Sequence, residues 1–169
     1  MTSADLLTDG FGRVHDVVHS AVDGLTPEEL GFRIDGSANS IAWLVWHLSR
    51  ITDDHIADAV SKEQEWVADG WMDRFGLPFG PHATGYGHGG DDVAAVQVKS
   101  GEILTGYFDA ANEQALRFVK NLTDADLTRV IDESWTPPVT LGVRLISVIS
   151  DGLQHAGQAM FIRGIIERR

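Results

Sequence analysis

The chain has 169 residues, of which 43% are hydrophobic and 22% are charged, a composition typical of one globular domain over residues 1–169. Its 13 basic and 25 acidic residues give a formal net charge of -12, which disfavours a nucleic-acid or anionic-membrane partner, because phosphate binding needs clustered Lys and Arg. The absence of cysteine excludes disulfides, thiolate-ligated metals and a cysteine nucleophile.

The N-terminal segment shows no export signal. It lacks a basic stretch followed by an apolar core, which is the pattern of a signal peptide. The longest apolar runs, such as Ile41 to Trp46, are far too short to span a bilayer. The sequence therefore predicts a cytoplasmic protein that does not bind a membrane.

Four stretches have the hydrophobic spacing of amphipathic helices, with apolar residues every three or four positions. They run from about Ser3 to Val22, Asn39 to Gln64, Asp92 to Asn121 and Thr140 to Glu167. No segment has convincing strand character. Four long helices in a chain of this length predict an all-α four-helix bundle.

Two kinds of connection join these helices. The segment from Trp66 to Asp92 contains seven glycines and two prolines, which predicts a long irregular loop, with room for a crossover after the second helix. Long loops in compact domains are usually functional or mobile. Thr26 and Thr123 each precede an acidic turn that follows a long helix. This pattern predicts two capped short helices and suggests a repeat of two helical hairpins.

The first helix carries His15 and His19 at i, i+4 spacing, which can hold a metal ion on one helix face. On a helical wheel His15 lies at the flank of the apolar stripe and His19 lies further towards solvent. We therefore interpret both as surface histidines.

The fourth helix has one narrow polar stripe on an otherwise apolar surface. Its members are Arg144, Ser147, Asp151, His155 and Gln158. A solvated helix face usually carries Lys and Glu, and neither occurs between Thr140 and Glu167. Because Asp151 and His155 are spaced i, i+4, their side chains lie side by side. The stripe either faces water or forms a functional site, and its composition slightly favours the site.

The second helix carries His47 among two tryptophans and two leucines. His47 is either a buried core histidine with one hydrogen bond or a metal ligand, and His55 on the same helix has the same core interpretation. If the second and fourth helices pair, His47 joins Asp151 and His155 in a set of two imidazoles and one carboxylate. Such a set suits Zn²⁺, Ni²⁺, Mn²⁺ or Fe²⁺. Gln158, one turn beyond His155, would then hydrogen-bond to a metal ligand without touching the metal.

At these residues the sequence resembles the DinB/YfiT-like metal-binding four-helix bundles. The matching pieces are SIAWLVWHL at residues 40–48 and DGLQHAGQ at residues 151–158. RFGLPF at 74–79, TGYGH at 84–88 and PPVTLGVRL at 137–145 resemble an actinobacterial branch, the mycothiol S-transferases. The resemblance therefore covers nearly the whole chain.

The resemblance implies a divalent metal, Zn²⁺ before Ni²⁺, Mn²⁺ or Fe²⁺, held by His47, Asp151 and His155. Many relatives carry histidine where this chain has Asp151, whereas mycothiol-dependent maleylpyruvate isomerases carry a carboxylate there. The implied activity is transfer of the low-molecular-weight thiol mycothiol to electrophilic small molecules in detoxification. The metal would stabilise the thiolate of mycothiol, and a chain without cysteine needs a cosubstrate to bring the sulfur.

Further residues are expected to complete the site. Asp54 is a candidate proton acceptor or orienting group, and His88 is a candidate catalytic residue from the long loop. The candidate substrate-binding residues are Trp43, Trp71, Phe75, Tyr86 and Arg144, the aromatic members forming apolar walls for the electrophile.

Two other functions remain open at this point. The same metal centre can serve a hydrolase that uses bound water as nucleophile. Alternatively, the chain is a non-catalytic stress-response module that keeps the bundle without the metal. The expected partners are a small-molecule thiol and an electrophile, with a homodimer as a further possibility and no nucleic acid.

Overall fold

The computed structural model describes residues 1–169 and confirms the all-α four-helix bundle. Its long helices are α1 (Ser3–Val22), α3 (Ile41–Val60), α7 (Gly101–Val119) and α9 (Leu141–Ile166). The short helices are α2 (Pro27–Leu30), α4 (Glu65–Ala68), α5 (Trp71–Phe75), α6 (Gly90–Ala95) and α8 (Asp124–Leu127). Two short strands, β1 (Val130–Asp132) and β2 (Val139–Thr140), pair antiparallel. None of the helices combines the length and the apolar composition needed to cross a bilayer.

The four long helices meet at four seams. α3 packs against α7 and α9, and α1 packs against the same two helices, so α1 and α3 lie diagonally across the bundle. Val22 at the end of α1 contacts Gly101 at the start of α7, so these two helices are antiparallel. His55 near the end of α3 meets Arg144 near the start of α9, so this pair is antiparallel too.

Helices α1 and α9 run parallel and approach closely at two glycines. Gly10 lies against Ile149, and one turn later Val14 lies against Gly152, where an added Cβ would be 3.1 Å from the valine side chain. With α1 parallel to α9 and each antiparallel to its other neighbour, α3 and α7 run in the same direction. Residues 61–100 are therefore a crossover that runs from the end of α3 back to the opposite end of the bundle, where α7 begins. The long loop predicted after the second helix left room for such a crossover.

Side-chain caps begin α2, α3, α8 and α9 where the sequence predicts them. Thr26 and Thr123 each accept a hydrogen bond from the third residue of a short helix, whose acidic side chain bonds back to the cap. Such capping boxes satisfy two backbone N–H groups at once. The hydroxyl oxygens of Ser40 and Thr140 cap α3 and α9 by accepting from a backbone N–H, without the reciprocal bond. The order of long helix, capped short helix and long helix occurs twice, as expected for two related hairpins.

Two expectations about irregular segments are wrong in part. The stretch predicted as a loop between residues 66 and 92 contains α5 and most of α4. The third helix begins at Gly101 and not near Asp92, because residues 96–100 leave helical geometry. Val96 and Val98 are both buried on either side of an exposed Gln97, which is the alternation of an extended segment and not of a helix.

A buried polar network fastens the crossover to α3. Arg50 is fully buried, and its guanidinium donates to the carbonyls of Ala83 (2.9 Å) and Pro81 (3.1 Å) and to the Tyr107 hydroxyl (3.0 Å). Buried guanidinium groups are tolerated only when their N–H groups find acceptors. The chain between Pro81 and Ala83 is therefore held directly against α3.

Asp53 completes this network from the next turn of α3. Its carboxylate accepts from the backbone N–H groups of Glu65 (2.9 Å) and Trp66 (2.8 Å) and from the Tyr107 hydroxyl (2.9 Å). Burial raises the pKa of Asp53, although these donors and the nearby Arg50 oppose the shift. Asp53 thus holds the start of the crossover on the same part of α3 to which Arg50 holds residues 81–83.

Removing the Tyr107 hydroxyl tests the network. Tyr107→Phe deprives Arg50 of an acceptor and Asp53 of a donor in a site without exposed surface, so we expect a loss of about 1–3 kcal/mol in the free energy of unfolding. The measurement is urea denaturation followed by circular dichroism. The only other tyrosine, Tyr86, is 92% exposed, and Tyr86→Phe is the control. Equal stability of both variants would contradict the assignment.

Candidate metal centre

The seam between α3 and α9 brings together the three predicted ligands. His47 comes from α3, while Asp151 and His155 occupy successive turns of α9. One ligand atom from each residue lies within 4.8 Å of the other two. His155 Nε2 is 3.4 Å from Asp151 Oδ1, and tetrahedral coordination with bonds of about 2.0–2.1 Å separates ligand atoms by a similar distance.

The crossover fixes the orientation of His47. Its Nδ1 contacts the carbonyl oxygen of Thr84, and a carbonyl only accepts, so Nδ1 carries the proton and Nε2 presents its lone pair. The ring also stacks on Trp43, with centroids 4.7 Å apart and planes 14° from parallel. Burial lowers the pKa of His47 below its ordinary value. The neutral imidazole, which is the ligand form, is therefore favoured.

Gln158 orients His155 from behind. Its Oε1 lies 2.9 Å from His155 Nδ1, so Nδ1 donates to the amide oxygen and Nε2 is left facing Asp151. The hydrogen bond with Asp151 raises the pKa of His155 above its ordinary value. A backing hydrogen bond on the distal ring nitrogen is usual for metal-bound histidine, and Gln158 occupies the place expected for it.

An unpartnered carboxylate oxygen of Asp151 is the strongest indication of a metal site. Its Oδ2 is buried and has no hydrogen-bond partner, and an unsatisfied buried acceptor costs about 1–3 kcal/mol, more when it is charged. A cation between the two imidazoles and this carboxylate would remove that cost. The donor set and the orphaned oxygen therefore fit a divalent ion of the Zn²⁺ type.

His88 lies in the crossover, in an aromatic pocket that it shares with Trp43, which stacks on His47. Trp43 Nε1 donates to its Nδ1 at 3.2 Å, so a neutral His88 carries its proton on Nε2. The ring packs against Phe79 and Trp46, at centroid distances of 4.6 and 5.7 Å. Trp43 contacts His155 edge-on at 6.2 Å. Trp43 therefore contacts both imidazole ligands, and His88 contacts Trp43, while their roles in substrate binding and catalysis stay predictions.

Arg144 and Asp54 lie elsewhere along the α3–α9 region. Arg144 pairs with Asp132 at 2.9 Å and reaches His55 at 3.3 Å. His55 is half-buried, and burial followed by the Arg144 charge lowers its pKa. Asp54 accepts from Gln64 at 2.7 Å and sits two helical turns from His47. The structure gives Asp54 no contact with the triad, and Arg144 already has a carboxylate partner.

The three other aromatic side chains predicted as walls form no ring contact with His47 or His155. Phe75 is 8% exposed and packs with Trp71 around Tyr107, near α7. Tyr86 projects into solvent. These contacts do not place the rings at the ligands, and their role as apolar walls for the electrophile stays a prediction.

The backbone carbonyl of Thr84, which orients His47, was not predicted from the sequence. Thr84 contributes only its carbonyl, and the next residue, Gly85, has φ of +92° and lies flat against the site. A Cβ at Gly85 would be 2.8 Å from His47 Nδ1 and 3.1 Å from both Trp43 and Trp46. The glycine-rich sequence at 84–88 was a signal for close approach, but the partner was not apparent from it.

Together these features define the class of protein as a DinB/YfiT-like four-helix bundle, and comparison with known proteins identifies the family. The model of the mycothiol-S-transferase family matches residues 6–168, so the chain belongs to that family. A crystal structure of a conserved protein from Enterococcus faecalis is similar, with a TM-score of 0.93 and 27% identity over 100% of this chain and 99% of the other. A search of curated proteins finds no significant match.

A methyl group at position 85 tests the contact between the crossover and the triad. Gly85→Ala should push the carbonyl of Thr84 away from His47 and lower Zn²⁺ affinity about 10–100-fold, the usual effect of losing a partner behind a ligand. Gly87→Ala is the matched control, because Gly87 also has positive φ but an added Cβ meets nothing within 4 Å. Calorimetric titration measures both, and equal affinities would contradict the role of the contact.

Loss of a ligand tests the centre itself. Untagged His155→Ala and Asp151→Asn proteins should each bind one equivalent of Zn²⁺ less than the parent, because three protein donors are needed to hold the ion. The exposed loop histidine supplies the control variant, His82→Ala. Elemental analysis after equilibrium dialysis gives the stoichiometry. Unchanged metal content in both folded variants would rule out the triad as the binding site.

Proposed function

We propose that the protein transfers mycothiol to electrophilic small molecules in detoxification, with a divalent metal held by His47, Asp151 and His155. Membership of the mycothiol-S-transferase family supports the thiol and the reaction class. The observation that carries the metal is the buried, unpartnered Oδ2 of Asp151 between two oriented imidazoles. The chain has no cysteine, so the reacting sulfur belongs to the cosubstrate.

The metal, when bound, supplies Lewis acidity that lowers the pKa of a thiol at an open position. Zn²⁺ is the first choice, since two imidazoles and a carboxylate form a usual zinc set, and Ni²⁺, Mn²⁺ and Fe²⁺ also suit these donors. The chain's own contribution is to hold three donors in place before the substrate arrives. Thr84 and Gln158 do this for the two imidazoles by occupying their outer nitrogens.

Trp43 and His88 form the side of the site from which substrates approach. The indole of Trp43 covers one face of His47 and excludes water from it. Because Trp43 donates to Nδ1 of His88, the Nε2 proton of His88 is available for donation. We assign His88 the role of hydrogen-bond donor to the developing charge on the leaving group, and not that of a base.

The proposed reaction is a substitution at carbon. The thiol of mycothiol loses its proton, a sulfur–carbon bond forms, and the bond to the leaving group breaks with its electron pair. The leaving group and the proton are released together, so that no oxidant or reductant is consumed. Asp54 lies too far from His47 for direct contact, and a role for it in this step requires a bridging molecule.

Mycothiol conjugation tests the proposal directly. Zn²⁺-loaded protein, mycothiol and monochlorobimane should yield the fluorescent conjugate, and His155→Ala should reduce the enzymatic rate by at least about 100-fold. His82→Ala is the control. Conjugation at the background rate by folded, metal-loaded parent protein would reject the transferase. Metal-dependent chloride release without mycothiol would instead support the hydrolase.

A further inference from the structure

A second cluster of metal-ligating side chains lies on the seam between α1 and α7. His15 and His19 project from successive turns of α1 towards Asp109 on α7. His19 Nε2 is 2.8 Å and His15 Nε2 is 3.5 Å from the same oxygen, Asp109 Oδ1. The two imidazole rings are 4.4 Å apart, and one ligand atom of each residue lies within 4.8 Å of the others. The His15–Asp109 distance resembles the 3.4 Å between His155 and Asp151, whereas His19 and Asp109 are at hydrogen-bonding distance, so a metal would take the place of the proton between them.

An unpartnered buried amide next to this cluster points independently to a ligand. Asn112 lies one turn after Asp109 on α7 and is 2% exposed, yet its Oδ1 has no hydrogen-bond partner. Asn112 and His15 line the same open cleft of about 550 Å³. Buried amide oxygens without a donor are rare in native proteins. A cation or its bound water in this cleft would satisfy the group.

The orientation of His15 also suits a ligand. Its Nδ1 is 3.4 Å from Asp16 Oδ1, and a carboxylate accepts, so the proton resides on Nδ1 and Nε2 faces Asp109. This is the carboxylate–histidine arrangement found behind many metal ligands. The charge around the cleft favours a cation, because Asp16 and Asp109 are free of Lys or Arg partners and Arg13 is neutralised by Asp9 at 2.6 Å.

We propose that His15, His19 and Asp109 form a second divalent-metal site of the Zn²⁺ class, on the seam opposite the first triad. The two sites have the same composition: an i, i+4 pair on one helix and a single ligand on the helix packed against it. Here the pair is His15 and His19 on α1, and the carboxylate comes from α7. The metal would bridge α1 and α7 with a coordination position left open, and His15 is the ligand that also lines the cleft.

The site is independent of the proposed transferase activity. No residue of the cluster belongs to α3 or α9, so its loss should leave the first triad intact. A metal that binds only the folded chain stabilises it by mass action. At a free Zn²⁺ concentration about 100 times the dissociation constant, the midpoint of thermal unfolding should rise by about 5–10 °C.

Four untagged proteins separate the two sites: the parent, His155→Ala, His19→Ala and the double variant. After chelator treatment and reloading with Zn²⁺, equilibrium dialysis with elemental analysis should show two, one, one and no equivalents. Asp109→Asn, which keeps the shape of the side chain, should match His19→Ala. The thermal shift with Zn²⁺ should persist in His155→Ala and vanish in the double variant, and His82→Ala should behave as the parent.

The outcomes are distinguishable from those for the first site. If the parent and His155→Ala each bind one equivalent and His19→Ala binds none, the second site stands and the first metal centre fails. If His19→Ala and Asp109→Asn bind as much Zn²⁺ as the parent, the second site is rejected. Folded His155→Ala that binds no Zn²⁺ also rejects it. Circular dichroism of each metal-free variant confirms folding before the titration.

Discussion

The candidate metal centre depends on burying one charged side chain, Arg50, inside the bundle. A guanidinium without contact to water must satisfy its N–H groups from protein atoms, and here the backbone carbonyls of Pro81 and Ala83 supply part of that requirement. The crossover therefore has to dock on α3. Thr84 is the next residue along, and its carbonyl reaches His47. The orientation of His47 is thus set by the hydrogen bonds of Arg50, which lies one turn further along α3.

The long helices were predictable because their signals are local and repeated. Apolar spacing and side-chain caps located α1 and α9 almost to the residue. The start of α7 was not predictable in this way, since Val96 and Val98 extend the apolar pattern of the helix while belonging to an extended segment. The two strands contain only three and two residues, too few for an alternating pattern to be recognised.

The parts of the candidate site that were predictable are those whose side chains have metal-binding chemistry. The i, i+4 spacing of Asp151 and His155 follows from helix geometry, whereas their pairing with His47 depends on which helices are neighbours, a property that periodicity does not contain. Thr84 acts through a carbonyl that every residue possesses, so no sequence signal marks it. Asp109 is one of three acidic residues on α7, and its proximity to the histidines of α1 depends on how the two helices pack.

The bond between the Thr84 carbonyl and His47 has a thermodynamic consequence that extends beyond orientation. Docking of the crossover selects the imidazole tautomer with a free Nε2, so an ion bound by that nitrogen would favour the docked state and be favoured by it. Such coupling is reciprocal: the factor by which docking increases affinity for the ion is the factor by which the ion increases the population of docked crossover. The order of the loop that carries His88 would therefore depend on whether the proposed centre holds an ion.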